Sequence, residues 1–81
     1  MNIEKACDRF DRASEYFYAK KYKRALKTFE EIESQLINDE VYGDTLLFLI
    51  ASCHYFLRKF DKALPYIEKV QIRNINIKLV K

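Results

Sequence analysis

Apolar residues recur at steps of three and four along most of the chain, the spacing that gathers them on one face of an α-helix. Two such stripes predict helices over residues 3–19 and 22–35, separated by the short polar turn Lys20-Lys21. The stripe residues are Ile3, Ala6, Cys7, Phe10, Ala13 and Phe17 in the first segment and Ala25, Leu26, Phe29 and Ile32 in the second.

The segment 45–57 carries no charged residue and is apolar nearly all round, which predicts the most buried helix of the fold. A fourth helix is expected from about 61 to 72, with Asp61 as its N-cap and Pro65 in its first turn or just beyond. Residues 71–81 could cap this helix, continue it or pair as a strand, and the pattern leaves the three open.

The two halves of the chain are similar to each other at an offset of 38 residues. Nine identities fall between positions 9–38 and their counterparts, which indicates a repeated two-helix unit. The identical pairs are Phe10 and Phe48, Ala13 and Ala51, Ser14 and Ser52, Lys21 and Lys59, Ala25 and Ala63, Leu26 and Leu64, Glu30 and Glu68, Ile37 and Ile75, and Asn38 and Asn76.

The spacing of small and aromatic residues in both units resembles the tetratricopeptide repeat. The resemblance rests on Ala13, Tyr16, Phe17, Tyr22–Leu26, Phe29 and Ile32, and on Leu47, Ile50, Ala51, Tyr55, Phe60–Ile67 and Val70. It implies an all-α fold, with two helix-turn-helix hairpins in a right-handed α-solenoid. One domain over 1–81 would hold repeats at about 3–38 and 44–76 and a tail at 77–81.

The chain departs from that family in three places. Its period is longer than the family's usual one, which implies an extended connection around 36–43. Arg9 and Arg12 stand where large apolar residues are usual, and His54 stands where an aromatic is usual. As the only histidine, His54 is expected to pack in the fold rather than to bind metal.

Within this family, two narrower resemblances stand out. Residues 46–66 are similar to scaffold subunits of the anaphase-promoting complex, which implies homodimerisation. Residues 30–44 and 58–66 look like the mitochondrial fission adaptor, whose membrane tail this sequence does not show. Bacterial secretion chaperones with such repeats are a third alternative, and composition does not rank them.

The resemblance also implies a peptide-binding groove lined by the first helix of each unit. Carried over by the repeat alignment, the partner-binding residues are Phe10, Ser14, Phe17, Tyr18, Phe48, Ser52, Tyr55 and Phe56. The lysines and asparagines with which some members grip a carboxylate are missing here. We therefore expect an apolar groove that holds a protein or peptide, or a second copy as a homodimer. The alternative is that another segment of the chain, such as residues 71–81, covers this apolar face.

Composition narrows the function further. One glycine and one proline argue against a β-sandwich or barrel, whose turns draw on both residues. No nucleophile, phosphate-loop or metal motif is present, so no enzyme activity, cofactor or metal is expected. The two cysteines, Cys7 and Cys53, are expected to be reduced in a cytoplasmic protein with no membrane insertion.

Charge is distributed in blocks although the net charge is only +3. Residues 16–29 carry five positive charges, 30–44 carry six negative ones, and 58–81 carry a net +5. The acidic block disfavours a nucleic-acid site, which needs one continuous basic face. The competing function is nevertheless a nucleic-acid-binding helical repeat that uses the basic turns. Its residues would be Lys20, Lys21, Lys23, Arg24, Arg58, Lys59 and Lys62.

Overall fold

Four helices make up the fold in the computed structural model, which describes the backbone of residues 3–80 and the side chains of residues 4–70. They are α1 (Ile3–Tyr18), α2 (Tyr22–Leu36), α3 (Gly43–Phe56) and α4 (Phe60–Val80). The expected number, order and approximate start of the helices are confirmed.

The helices pair as two hairpins, α1 with α2 and α3 with α4. The hairpins pack together mainly through α3, which lies against α2 and more lightly against α1. This confirms the all-α, two-hairpin fold. The central position of α3 explains its composition, because a helix contacted on several sides buries apolar residues around most of its circumference.

The core lies between α1, α2 and α3. Phe29, Ile32 and Leu36 of α2 are fully buried against Leu46 and Ile50 of α3. Small residues allow the helices of each hairpin to approach closely. The alanines concerned are Ala13 and Ala25 in the first hairpin and Ala51 and Ala63 in the second, all of them buried.

Both hairpin turns have the same unusual backbone. Lys20 and Arg58, which correspond across the repeat, have positive φ angles of 65° and 64°. The amide of Lys21 donates to the carbonyl of Tyr16, and the amide of Lys59 to that of His54, at 2.9 and 2.8 Å. Each helix therefore ends in a Schellman motif whose left-handed position is held by a residue other than the preferred glycine.

Lys20→Gly is expected to raise the free energy of unfolding by roughly 0.5–1 kcal/mol, as measured by urea denaturation. Glycine removes a left-handed backbone strain of about 1–2 kcal/mol from the folded protein. It also gives the unfolded chain more conformational freedom, which costs about 0.4–1 kcal/mol of stability. Lys21→Gly is the control, because Lys21 has an ordinary negative φ of −92°. That variant should lose stability, and stabilisation by both changes would contradict this explanation.

The fourth helix differs from expectation. It continues to Val80 rather than ending near residue 72, so the tail extends the helix. It begins at Phe60, which puts Asp61 inside the first turn and not at the N-cap. The carboxylate still lies near the positive end of the helix dipole, where it is favourable. Pro65 lies just beyond the first turn, where it leaves the carbonyl of Asp61 without its helical partner.

Candidate functional site

Six aromatic rings form a continuous cluster where the two hairpin turns meet. The ring of Tyr22, at the start of α2, stacks on Phe56, at the end of α3, with centroids 4.7 Å apart and planes 16° apart. The other neighbouring rings meet edge to face at 5.3–6.2 Å. The members of this aromatic cluster are Phe17, Tyr18, Tyr22, Tyr55, Phe56 and Phe60.

An apolar groove continues from the aromatic cluster along α3 and α4. Its volume is about 170 Å³, and none of its lining residues is charged. The residues that line this apolar groove are Phe48, Ala51, Ser52, Tyr55, Phe56 and Ile67. Phe48 remains 59% exposed, and Tyr55 and Phe56 are also more than half exposed. Large exposed aromatics in one groove are typical of an interaction surface.

Of the eight predicted partner-binding residues, the structure brings six into this region. Phe17 and Tyr18 belong to the aromatic cluster, Phe48 and Ser52 to the apolar groove, and Tyr55 and Phe56 to both. The hydroxyl of Ser52 donates to the carbonyl of Phe48 at 2.8 Å. The one donor hydrogen of Ser52 is therefore already used within α3, and its oxygen can still accept.

Phe10 lies elsewhere. Its ring is buried in the core, edge to face with Phe29 at 5.6 Å and with Tyr42 at 5.0 Å. Ser14 is half-buried, and its hydroxyl donates to the carbonyl of Phe10 at 2.9 Å, as Ser52 does to Phe48. Phe10 and Ser14 therefore contact other parts of the fold and do not line the groove.

Three residues of the region are absent from the predicted set: the half-buried Tyr22 and the exposed Phe60 and Ile67. A signal for two of them was present, because the repeat offset pairs Tyr22 with Phe60 as aromatics at the two turns. Ile67 has no such signal, because its helical position alone does not say that it borders a groove.

A basic cleft of about 490 Å³ opens beside the aromatic cluster. It is lined by Lys20, Lys21, Tyr22, Lys23, Arg24 and Leu57. The guanidinium of Arg24 lies over the ring of Tyr16, 5.4 Å from its centroid. Among residues 4–70, no carboxylate forms an ion pair with Lys20, Lys21 or Lys23. Their charge is therefore not neutralised locally.

Acidic groups gather toward the opposite end of the hairpins, and several are engaged. Glu31 forms an ion pair with Arg9 at 2.6 Å. Glu33 accepts the hydroxyl of Tyr66, and Asp39 accepts the backbone amides of Val41 and Tyr42. Thus Arg9, which departs from the family pattern, is exposed and paired across α1 and α2.

His54 lies on α3 and is buried. Its ring stacks on Tyr66 at 5.9 Å, and its Nδ1 has no hydrogen-bond partner among the described residues. Burial lowers the pKa of His54 below its ordinary value of 6.5, and the nearby Lys62 and Lys59 lower it further, while Glu30 and Asp61 oppose the shift. The packing role expected for His54 agrees with this burial.

The stability of the protein should therefore fall as the pH drops below 6.5. The pKa of His54 is about 6.5 in the unfolded chain and lower in the folded protein, so below pH 6.5 the unfolded chain binds a proton more readily. The free energy of unfolding therefore falls as the pH drops from 6.5 through the pKa of the folded protein. One such group contributes a slope of at most about 1.4 kcal/mol per pH unit. His54→Phe should show a shallower fall in urea denaturation between pH 7 and 5. Identical pH profiles of parent and variant would contradict the assignment.

The two cysteines are free. Cys53 is fully buried, and burial raises the pKa of its thiol to about 12, so it is a poor nucleophile. Within the part of the chain that the structure describes, no three histidine, cysteine or acidic side chains come together as a metal site would require. Over the same residues, no helix is long and apolar enough to cross a membrane.

Comparison of the chain with family models, with curated proteins and with solved structures finds no match in any of the three.

Proposed function

We propose that this chain is a non-enzymatic interaction module of the tetratricopeptide type, which holds an apolar or amphipathic helical segment of a protein partner. The observation that carries the proposal is the apolar groove between α3 and α4, whose aromatic side chains are more than half exposed. Burying one such ring contributes roughly 1.5–3 kcal/mol. Helix-in-groove recognition uses this kind of surface.

Several features support a scaffold or adaptor role. The two hairpins and their shared turn geometry fit a helical-repeat array, whose exposed faces bind partners. The buried, free Cys53 fits a reducing compartment, so we propose the cytoplasm as the place of action. Self-association through the same groove, as in the anaphase-promoting complex subunits that the sequence resembles, is the homodimeric form of this proposal.

A labelled amphipathic peptide of about four helical turns, with leucines on one face and glutamines on the other, is a suitable probe. We expect the parent protein to bind it, as measured by fluorescence anisotropy. Truncating a central anchor commonly costs about 2 kcal/mol or more, so Phe48→Ser should weaken binding roughly thirtyfold. Light scattering over a concentration series would reveal self-association, which Phe48→Ser should also weaken.

Val41→Ser is the matched control, because Val41 is an apolar residue, 75% exposed, outside the groove. Circular dichroism must show that both variants stay folded. If the parent neither binds the probe nor self-associates, the proposal fails. If Phe48→Ser instead unfolds the chain, then Phe56→Ser gives the same test from the other end of the groove.

The second candidate is a nucleic-acid-binding helical repeat, which the basic cleft around Tyr22 favours. Exposed rings beside unpaired lysines suit single-stranded nucleic acid, because bases stack on aromatic side chains. The apolar groove weighs against it, because a phosphate chain would leave that surface unused. Steep loss of oligonucleotide binding with salt would support this candidate.

A further inference from the structure

We propose that the partner segment is acidic: its apolar side chains occupy the apolar groove, and a run of carboxylates at one end lies over the basic cleft. This inference rests on the proposed function and names the chemistry of the partner. It requires that the groove and the cleft form one surface, that the lysines of the cleft are available, and that other occupants fit less well.

Phe56 joins the groove to the cleft. Its ring lines the apolar groove and stacks on Tyr22 at 4.7 Å, and Tyr22 in turn lines the basic cleft. Leu57, the next residue along the chain, also lines the cleft. A bound segment can therefore pass from the groove to the cleft over the stacked rings of Phe56 and Tyr22.

The size of the groove suits a short helix. Phe48 and Phe56 are eight residues apart on α3, which corresponds to about 12 Å, or about two helical turns. A helical segment presents apolar side chains every three or four residues, so about two or three anchors fit along this length. A bound helix of more than two turns extends past Phe56 and reaches the cleft.

The charges differ sharply between the two parts of this surface. The groove has no charged lining residue, whereas Lys20, Lys21 and Lys23 lie in the cleft without a carboxylate partner among residues 4–70. Acidic side chains at the cleft end of a partner would be attracted, and basic ones repelled. Charge complementarity therefore selects both the kind of partner and its direction in the groove.

A second copy of the chain fits this surface less well. Its acidic block 30–44 would have to supply a run of carboxylates, but within that block Glu31 is paired with Arg9, and Glu33 accepts the hydroxyl of Tyr66, which leaves the exposed Glu30 and Glu40 apart from each other in the chain. Asp39 uses its carboxylate to accept backbone amides of its own loop. Releasing these groups would cost free energy that a separate acidic segment does not lose.

The test compares three labelled peptides that share one leucine face and differ only in the residues at one end, which are glutamates, glutamines or lysines. The glutamate peptide should bind the full chain roughly tenfold more tightly than the glutamine peptide, and the lysine peptide more weakly than both. High salt should remove most of the difference, because exposed charges are screened.

The double variant Lys21→Gln/Lys23→Gln should reduce the preference for glutamate roughly fivefold, since two exposed ion pairs to the peptide are lost. Arg12→Gln/Lys69→Gln is the matched control. It removes the same net charge from exposed residues that line neither the groove nor the cleft. Binding of the glutamine peptide should be unchanged in both double variants.

The outcomes separate this inference from the proposed function. Equal binding of the three peptides would overturn the acidic preference and leave the interaction module intact. Absence of all binding, with no self-association, would overturn both. An oligothymidylate that binds more tightly than the glutamate peptide would overturn the inference in favour of nucleic acid. Dimers that the glutamate peptide does not displace would overturn it in favour of a second copy.

Discussion

Phe29→Ala is expected to leave the protein largely unfolded at 25 °C. The ring of Phe29 is fully buried between the helices and meets Phe10 edge to face at 5.6 Å. Removing a buried phenylalanine side chain costs about 3–5 kcal/mol, because the cavity only partly collapses. A domain of this size holds about 3–5 kcal/mol in total, so one such loss consumes most of its stability.

Urea denaturation monitored by circular dichroism measures this loss of stability. Phe48→Ala is the matched control. Phe48 is the same residue type on a neighbouring helix, but its side chain is 59% exposed. Its truncation should change stability by about 0.5 kcal/mol or less. If both variants lose stability equally, then Phe48 is buried like Phe29, and the groove that it lines is not exposed.

Ala51→Leu is expected to destabilise the second hairpin by about 1–3 kcal/mol through overpacking. Ala51 is buried on α3, and together with Ile67 of α4 it lines the apolar groove. Its counterpart in the repeat, Ala13, is fully buried in the first hairpin. A larger side chain must therefore push the paired helices apart or fill the groove.

Thr45→Leu is the control for this second prediction, because it introduces the same side chain at an exposed position of the same helix. Thermal and urea denaturation should show little change for Thr45→Leu. Equal stability of Ala51→Leu and the parent would mean that the small residue at this position is not required for close helix packing. A stable Ala51→Leu that no longer binds the leucine peptide would place the added side chain in the groove.

The two substitutions disturb packing in opposite ways, since one creates a cavity and the other adds volume. The core around Phe29 involves three helices, whereas the contact at Ala51 involves one hairpin. We therefore expect Phe29→Ala to destabilise the whole chain. Ala51→Leu should act mainly on the packing of α4 against α3.

Much of the fold follows from the sequence because its determinants are local. The period of apolar residues predicts four helices, and the offset of 38 residues predicts that their turns are equivalent. The left-handed angles at Lys20 and Arg58 show the same equivalence in the backbone. The end of α4 was not predictable in this way, because residues 71–80 carry isoleucines that suit a helix, a cap or a strand equally well.

The exposure of each aromatic ring, by contrast, was decided by tertiary structure. Phe10 and Phe48 are identical residues at equivalent positions of the repeat, yet Phe10 is 8% exposed and Phe48 59%. Phe10 is covered by Phe29 of α2 and by Tyr42, which immediately precedes α3, whereas no further hairpin among the described residues packs over Phe48. A repeat pattern records which face of a helix is apolar, but burial depends on what packs against that face.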